Sequence, residues 1–157
     1  MPEKPAILFV CLGNICRSPL AEAAFRAEAA RLGLDCMIES AGIGDWHAGH
    51  PPDRRAQAVA KAHGIDIGHY RARQATQADF RRFTHIVALD RHNLAALEAL
   101  RPPDATATLT LLLDHVAGRE GQPVADPYGG TAADFERTWA EVTLGARALA
   151  RRVAREG

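Results

Sequence analysis

A thiol, a guanidinium and a hydroxyl lie within one short stretch, Cys11-Leu12-Gly13-Asn14-Ile15-Cys16-Arg17-Ser18. A thiolate is a strong nucleophile, and a planar arginine fork holds two phosphoryl oxygens at once. Cys11 and Arg17 at the two ends of a tight loop therefore describe a pocket for a phosphate dianion with an attacking sulfur at its floor. The Ser18 hydroxyl is placed to donate to that thiolate and later to help it leave. Taken singly, Cys11 and Cys16 are ordinary buried cysteines and Arg17 is a surface charge. The flanking sequence is what joins them into one device.

Ala6-Ile7-Leu8-Phe9-Val10 is a continuous apolar run of strand length, suited to a strand buried on both faces. Gly13 and Asn14 tolerate the left-handed backbone that a sharp turn needs. A helix is expected to begin around Ser18-Pro19, with serine as N-cap and proline in the first turn, and Leu20, Ala23, Ala24 and Ala27 recur at helical spacing. Strand exit, loop and helix N-terminus then aim several backbone N–H groups at one point, which attracts an anion. Leu12, Gly13, Asn14, Ile15, Cys16 and Ser18 are thus the expected phosphate-binding loop, and Asn14 is expected to brace it through side-chain hydrogen bonds.

Expulsion of a phenolate is faster when a positioned acid protonates it. Asp126-Pro127-Tyr128-Gly129-Gly130 is a loop by composition, and Pro127 holds Asp126 extended. Locally, this segment fits both an acid-bearing loop and a plain Asp-Pro turn.

Other chemistries find less support. The seven histidines show no His-x3-His spacing, and no Cys-x2-Cys occurs; His47 and His50 share a loop, but no metal site and no cofactor are expected. No Gly-Lys-Ser/Thr is present, and Gly42-x-Gly44 lacks a third glycine, so both nucleotide motifs fail. Cys36, in the strand-like run Asp35–Ile38, reads as a core thiol. Lys+Arg and Asp+Glu balance at 19 each, which gives no bulk attraction to nucleic acid or an anionic membrane. No apolar run reaches transmembrane length, and Met1–Lys4 has no signal-peptide pattern, so a cytoplasmic protein with reduced cysteines is expected.

The 157 residues suit one domain. Strands are expected at 5–10, 36–41, 84–89 and 108–113, and helices at 18–32, 53–63, 76–82, 91–99 and 131–154. Phe135, Trp139, Val142, Ala146, Leu149 and Val153 give the last helix a buried face. The alternation argues for an α/β fold, three layers with a parallel sheet covered on both sides, and a site just past the C-terminal end of the first strand.

Val10–Pro19, V-C-L-G-N-I-C-R-S-P, closely resembles the phosphate loop of the low-molecular-weight protein tyrosine phosphatases. The resemblance continues through the first helix, Ser40-Ala41-Gly42, Trp46 to Pro52, Gly64-Ile65, Ala72-Arg73-Gln74 and Asp126-Pro127-Tyr128, so that it covers nearly the whole chain. It implies a four-stranded sheet in the order 2-1-3-4, Cys11 as nucleophile, Arg17 as transition-state clamp and Asp126 as general acid and then base. It also implies that Leu12, Trp46 and Tyr128 flank the pocket mouth, where Gly129 stands in place of the second aromatic of many relatives. His69 matches a position that helps organise the phosphate loop, and Ser40 is expected to reach Asn14 from beneath. Cys16, five residues from Cys11, comes within disulfide reach in a curled loop, and the resemblance supports a protective redox role; it also reads as a small hydrophobe under the loop. The implied partners are phosphotyrosine proteins, a bacterial tyrosine kinase among them, with the chain a monomer or weak dimer. Two alternatives stand beside this reading. One is a thiol-dependent arsenate reductase of the same fold, against which residues 84–104 contain no relay cysteine; the other is a non-catalytic phosphotyrosine-binding module.

Overall fold

Alternate residues of the first apolar run point to opposite faces of a strand, so a run with no polar break must be covered twice. The first strand, β1 (Ala6–Cys11), does this. Ile7, Phe9 and Cys11 join one hydrophobic cluster, and Ala6, Leu8 and Val10 join a second on the other face. The structure is a computed structural model that describes residues 4–156; Met1–Glu3, within the N-terminal stretch read above for a signal pattern, and Gly157 lie outside the described residues.

The elements follow in alternation: α1 (Arg17–Leu32), β2 (Met37–Gly42), α2 (Arg54–Ala62), α3 (Asp79–Arg82), β3 (His85–Ala88), α4 (Arg91–Leu100), β4 (Thr108–Leu111), a 3-10 turn (Leu112–His115) and α5 (Ala132–Glu156). The four strands form one sheet in the order β2-β1-β3-β4, all parallel. This is the expected fold and strand order. Buried residues of α1, α2 and α5 complete the first cluster, while Phe80 of α3 and Leu97 of α4 belong to the second. The stripe Phe135, Trp139, Val142, Ala146, Leu149 and Val153 is buried as its spacing predicts. Among the described residues, no helix is long and apolar enough to cross a membrane.

Most expected boundaries shift by one to three residues, and three of these shifts have a clear local cause. The fourth strand stops at Leu111 because the Asp114 carboxylate accepts from the Leu111 and Gly121 amides and curls the chain into the 3-10 turn. Thr76–Ala78 form a turn ahead of α3, since the Asp79 carboxylate accepts from the Thr76 amide. The first helix starts at Arg17, with Cys16 at the N-cap position, so Ser18 lies inside the first turn and does not cap.

Candidate active site

The freed Ser18 side chain turns to Cys11. Its Oγ lies 3.0 Å from Cys11 Sγ and accepts from Asn14 Nδ2 at 2.8 Å. With Asn14 on a lone pair, the single hydroxyl proton is left for the sulfur, in preference to the Ala41 carbonyl at 3.4 Å. Asn14 adopts φ 59°, the left-handed backbone the turn requires, and its Oδ1 accepts from the Arg73 amide at 3.1 Å. Arg73 in turn ties to the end of β2, since Gly42 N donates to Arg73 O at 2.8 Å, and its guanidinium pairs with the buried Asp79. The phosphate loop is therefore braced from outside by the backbone of the Ala72–Gln74 segment.

Two expected braces lie elsewhere. Ser40 does not reach Asn14. It sits within β2, paired with Phe9, and so faces α1 one turn beyond Ser18, where its Oγ donates to Glu22 Oε1 at 2.7 Å. Burial raises the Glu22 carboxyl above its ordinary value, opposed by hydrogen bonds from Ser40 and Arg26. His69 is exposed, meets the Tyr70 ring edge-on at 4.9 Å and makes no hydrogen bond to the loop among the described residues. It is Tyr70, not His69, that packs against the core, and its phenol is pushed up to about 12 by burial and the neighbouring Glu22.

Arg17 is 4% exposed and fixed on one side: Nη1 donates to Asp90 Oδ2 at 2.7 Å and to the Val124 carbonyl at 3.1 Å. Its Nη2 faces Asp126, 3.8 Å away. Asp90 also caps α4, accepting from the Asn93 amide at 2.7 Å. Burial would raise its carboxyl, but the Asn93 amide and Arg17 outweigh this and hold it below its ordinary value. Asp90 is thus a helix cap and an arginine anchor at once.

Cys11, Arg17 and Asp126 border one cavity of about 150 Å³. Leu12, Gly13, Ile15 and Cys16 contribute the loop side, and Trp46 and Tyr128 the mouth, with 65% and 63% of their surfaces exposed. His47 lines it too, a position considered in the sequence only as a metal ligand. Among the described residues, no group of three or more His, Cys, Asp or Glu side chains is arranged to hold a metal ion. Cys16 is buried beside the site, and burial, with Asp53 and Cys11 adding, drives its thiol well above the usual range, so it stays protonated. Asp126 is half exposed; its Oδ1 accepts from the Tyr128 amide at 3.0 Å, and Gly129 takes φ 80° as the loop turns back.

A sequence profile described as low molecular weight phosphotyrosine protein phosphatase matches residues 6–157. The chain belongs to this family. It is 39% identical over 153 residues to the low molecular weight protein-tyrosine-phosphatase YfkJ of Bacillus subtilis, covering 96% of this chain and 97% of that protein. The crystal structure of YfkJ superposes with a TM-score of 0.90, at 37% identity and covering 99% and 98% of the two chains. A second solved structure, DARP, described as a drosophila arginine phosphatase, gives a TM-score of 0.87 at 30% identity over 94% and 96%. The four-stranded parallel sheet described above belongs to the fold that this chain shares with these structures.

Proposed function

We propose that this chain is a protein-tyrosine phosphatase that hydrolyses phosphotyrosine through a phosphocysteine on Cys11. The observation that carries the reading is the meeting in one cavity of a serine-bonded thiol, a buried arginine anchored on its far side, and a half-exposed carboxyl across the mouth. Cys11 Sγ attacks phosphorus in line, forming the S–P bond as the P–O bond to the ring breaks. Asp126 gives its proton to the departing phenolate oxygen. Water then attacks the phosphocysteine, Asp126 takes a proton from it, and the S–P bond breaks to return the thiolate, which Ser18 receives with a hydrogen bond. Arg17 and the loop amides stabilise the equatorial oxygens in both steps, so the protein itself supplies the positive charge.

The apolar walls Leu12, Trp46 and Tyr128 suit an aromatic ring and favour tyrosine over serine or threonine as the phosphate carrier. Thiol-relayed arsenate reduction draws no support from the third cysteine. Cys36 precedes β2, at the end of the parallel sheet opposite Cys11. The expected partners are cytoplasmic phosphotyrosine proteins, a tyrosine kinase among them.

The test is hydrolysis of matched phosphotyrosine, phosphoserine and phosphoarginine peptides with EDTA present. Turnover selective for phosphotyrosine, abolished in Cys11→Ser and strongly reduced in Asp126→Asn, is the expected result. Faster turnover of the phosphoarginine peptide would move the substrate class to that of the drosophila neighbour. Phosphate binding without turnover of any peptide would leave a binding module.

A further inference from the structure

Asp126 must sit over a phosphorus atom held by a different part of the chain; Ala125 before it is tied to α5 through Glu141 and Thr138, while the Asp126 side chain itself is half exposed. Its ion contact with Arg17 is long, 3.8 Å, and Arg17 already has two shorter partners. A second connection runs between the two loops by way of α2. The Ile15 carbonyl, in the phosphate loop, accepts from the Asp53 amide at 2.8 Å. The Asp53 carboxylate caps α2 by accepting from the Arg55 amide at 2.8 Å, and also takes Nε and Nη2 of the Arg55 side chain, both at 3.2 Å. The remaining arm, Nη1, crosses to the Gly130 carbonyl at 2.9 Å. Beneath the guanidinium, the Phe135 ring centroid lies 4.9 Å from Cζ.

Gly130 is the residue that closes the acid-bearing turn, since its amide donates to the Pro127 carbonyl at 2.8 Å. It has little room to shift. A Cβ there would meet the Asp134 carboxylate at 2.4 Å and the Pro127 carbonyl at 2.9 Å. Asp134 is itself engaged by the Thr131 amide at 2.8 Å, which starts α5. Holding the Gly130 carbonyl therefore holds the turn 127–130, whose first residue, Pro127, directly follows Asp126. A guanidinium suits the role because its planar fork serves a carboxylate on one edge and a carbonyl on the other.

We propose that Arg55 is a positioning residue for the general acid: it straps the acid loop to the phosphate loop through Ile15, Asp53 and Gly130, and so sets the reach of Asp126 toward the leaving oxygen. This rests on the reading of Asp126 as general acid. A loosened acid matters only where the leaving group needs a proton. An acid displaced by about 1 Å costs rate in proportion to how much the departing oxygen relies on protonation. A merely structural arginine would instead lower activity evenly across substrates, or lower the melting temperature alone.

The experiment measures kcat/KM for a series of aryl phosphates whose phenols span weak to strong acids, in wild type, Arg55→Met, Arg55→Lys, Asp126→Asn and Arg55→Met/Asp126→Asn. The expected loss in Arg55→Met is about 10-fold for the least acidic phenol and under about 3-fold for the most acidic, with the inhibition constant of inorganic phosphate unchanged. Arg55→Lys restores charge without the fork and is expected to recover only part of the loss. In the Asp126→Asn background, Arg55→Met is expected to cost nothing further, because the acid it positions is gone. A loss that is even across the phenols, or that persists in full without Asp126, overturns the strap. No loss in Arg55→Met overturns it as well. An Asp126→Asn enzyme whose rates show no added dependence on the phenol overturns the general-acid reading and the strap with it, an outcome distinct from the others. Melting temperatures of the variants identify any loss due to unfolding, and the double-variant comparison remains decisive in that case.

Discussion

The phosphate loop and the acid loop face the same small cavity and are built in opposite ways. In the first, Cys11, Asn14, Cys16, Arg17 and Ser18 are all buried; short bonds link Cys11 and Asn14 through Ser18, Asn14 takes the Arg73 amide, and Arg17 is anchored on Asp90 and the Val124 carbonyl. In the second, Asp126 is half exposed and Tyr128 stands in solvent; the backbone is held by its own turn, by Arg55 and, at Ala125, by α5, and the Asp126 carboxylate makes a long contact with Arg17. On the proposed mechanism, the atoms that make and break bonds to phosphorus sit in the buried, bonded cradle, and the atom that delivers a proton sits on a strut that leaves the mouth open to a substrate. Buried, fully bonded polar groups are rigid, and lightly contacted loops are where entry and release take place.

The contrast predicts losses of different size and kind. Cys11→Ser should abolish turnover, by at least about 10⁴-fold, while inorganic phosphate still binds within a few-fold of wild type, because only the nucleophile is gone. Steady-state rates and phosphate inhibition read the two halves of that statement. Arg17→Lys should cost about 10³-fold in kcat/KM and weaken phosphate as well, since the fork serves ground and transition states alike. Asp126→Asn, on the other loop, should cost about 10²-fold in kcat with phosphate affinity intact, read from steady-state rates and phosphate inhibition.

Asp90→Asn tests whether the anchor behind the arginine belongs to the cradle. A loss of about 10-fold in kcat/KM is expected, because Arg17 keeps its place less well. The stability effect has a definite sign in pH. The Asp90 carboxyl is held below its ordinary value, so its contribution is present above the range where a free aspartate titrates and is lost as pH falls through the lowered value. The melting temperature of Asp90→Asn should therefore fall short of wild type near neutrality and converge on it in strong acid. The smallest change is expected at the exposed wall. Tyr128→Ala should raise KM for a phosphotyrosine peptide by about 3-fold and leave phosphate inhibition unchanged, since it touches the ring and not the dianion.

The same contrast explains what could be read from the sequence. Val10–Pro19 is contiguous, so its strand, turn, helix start and reactive side chains are visible together, and the alternation of strands and helices carries the sheet. Asp126 was legible through resemblance, because an Asp-Pro turn alone is ambiguous. Asp90 was passed over because a helix cap and an arginine anchor need the same carboxylate, and nothing local separates them. Arg55 was invisible for a different reason: its partner, Gly130, is 75 residues away and takes part through a backbone carbonyl, which any residue type provides. Ser40 and His69 were assigned to the phosphate loop, but strand register turns Ser40 to Glu22, and His69 lies on the surface while Tyr70 takes the inner position.

The most direct test of the central claim is to trap the intermediate. Acid quenching of the Asp126→Ala enzyme during turnover of an aryl phosphate with a good leaving group, then digestion and mass spectrometry, should find one phosphoryl group on the peptide that carries Cys11. The same sample from Cys11→Ser should carry none. Turnover with no phosphoryl group on Cys11, or with one on another residue, would contradict the account.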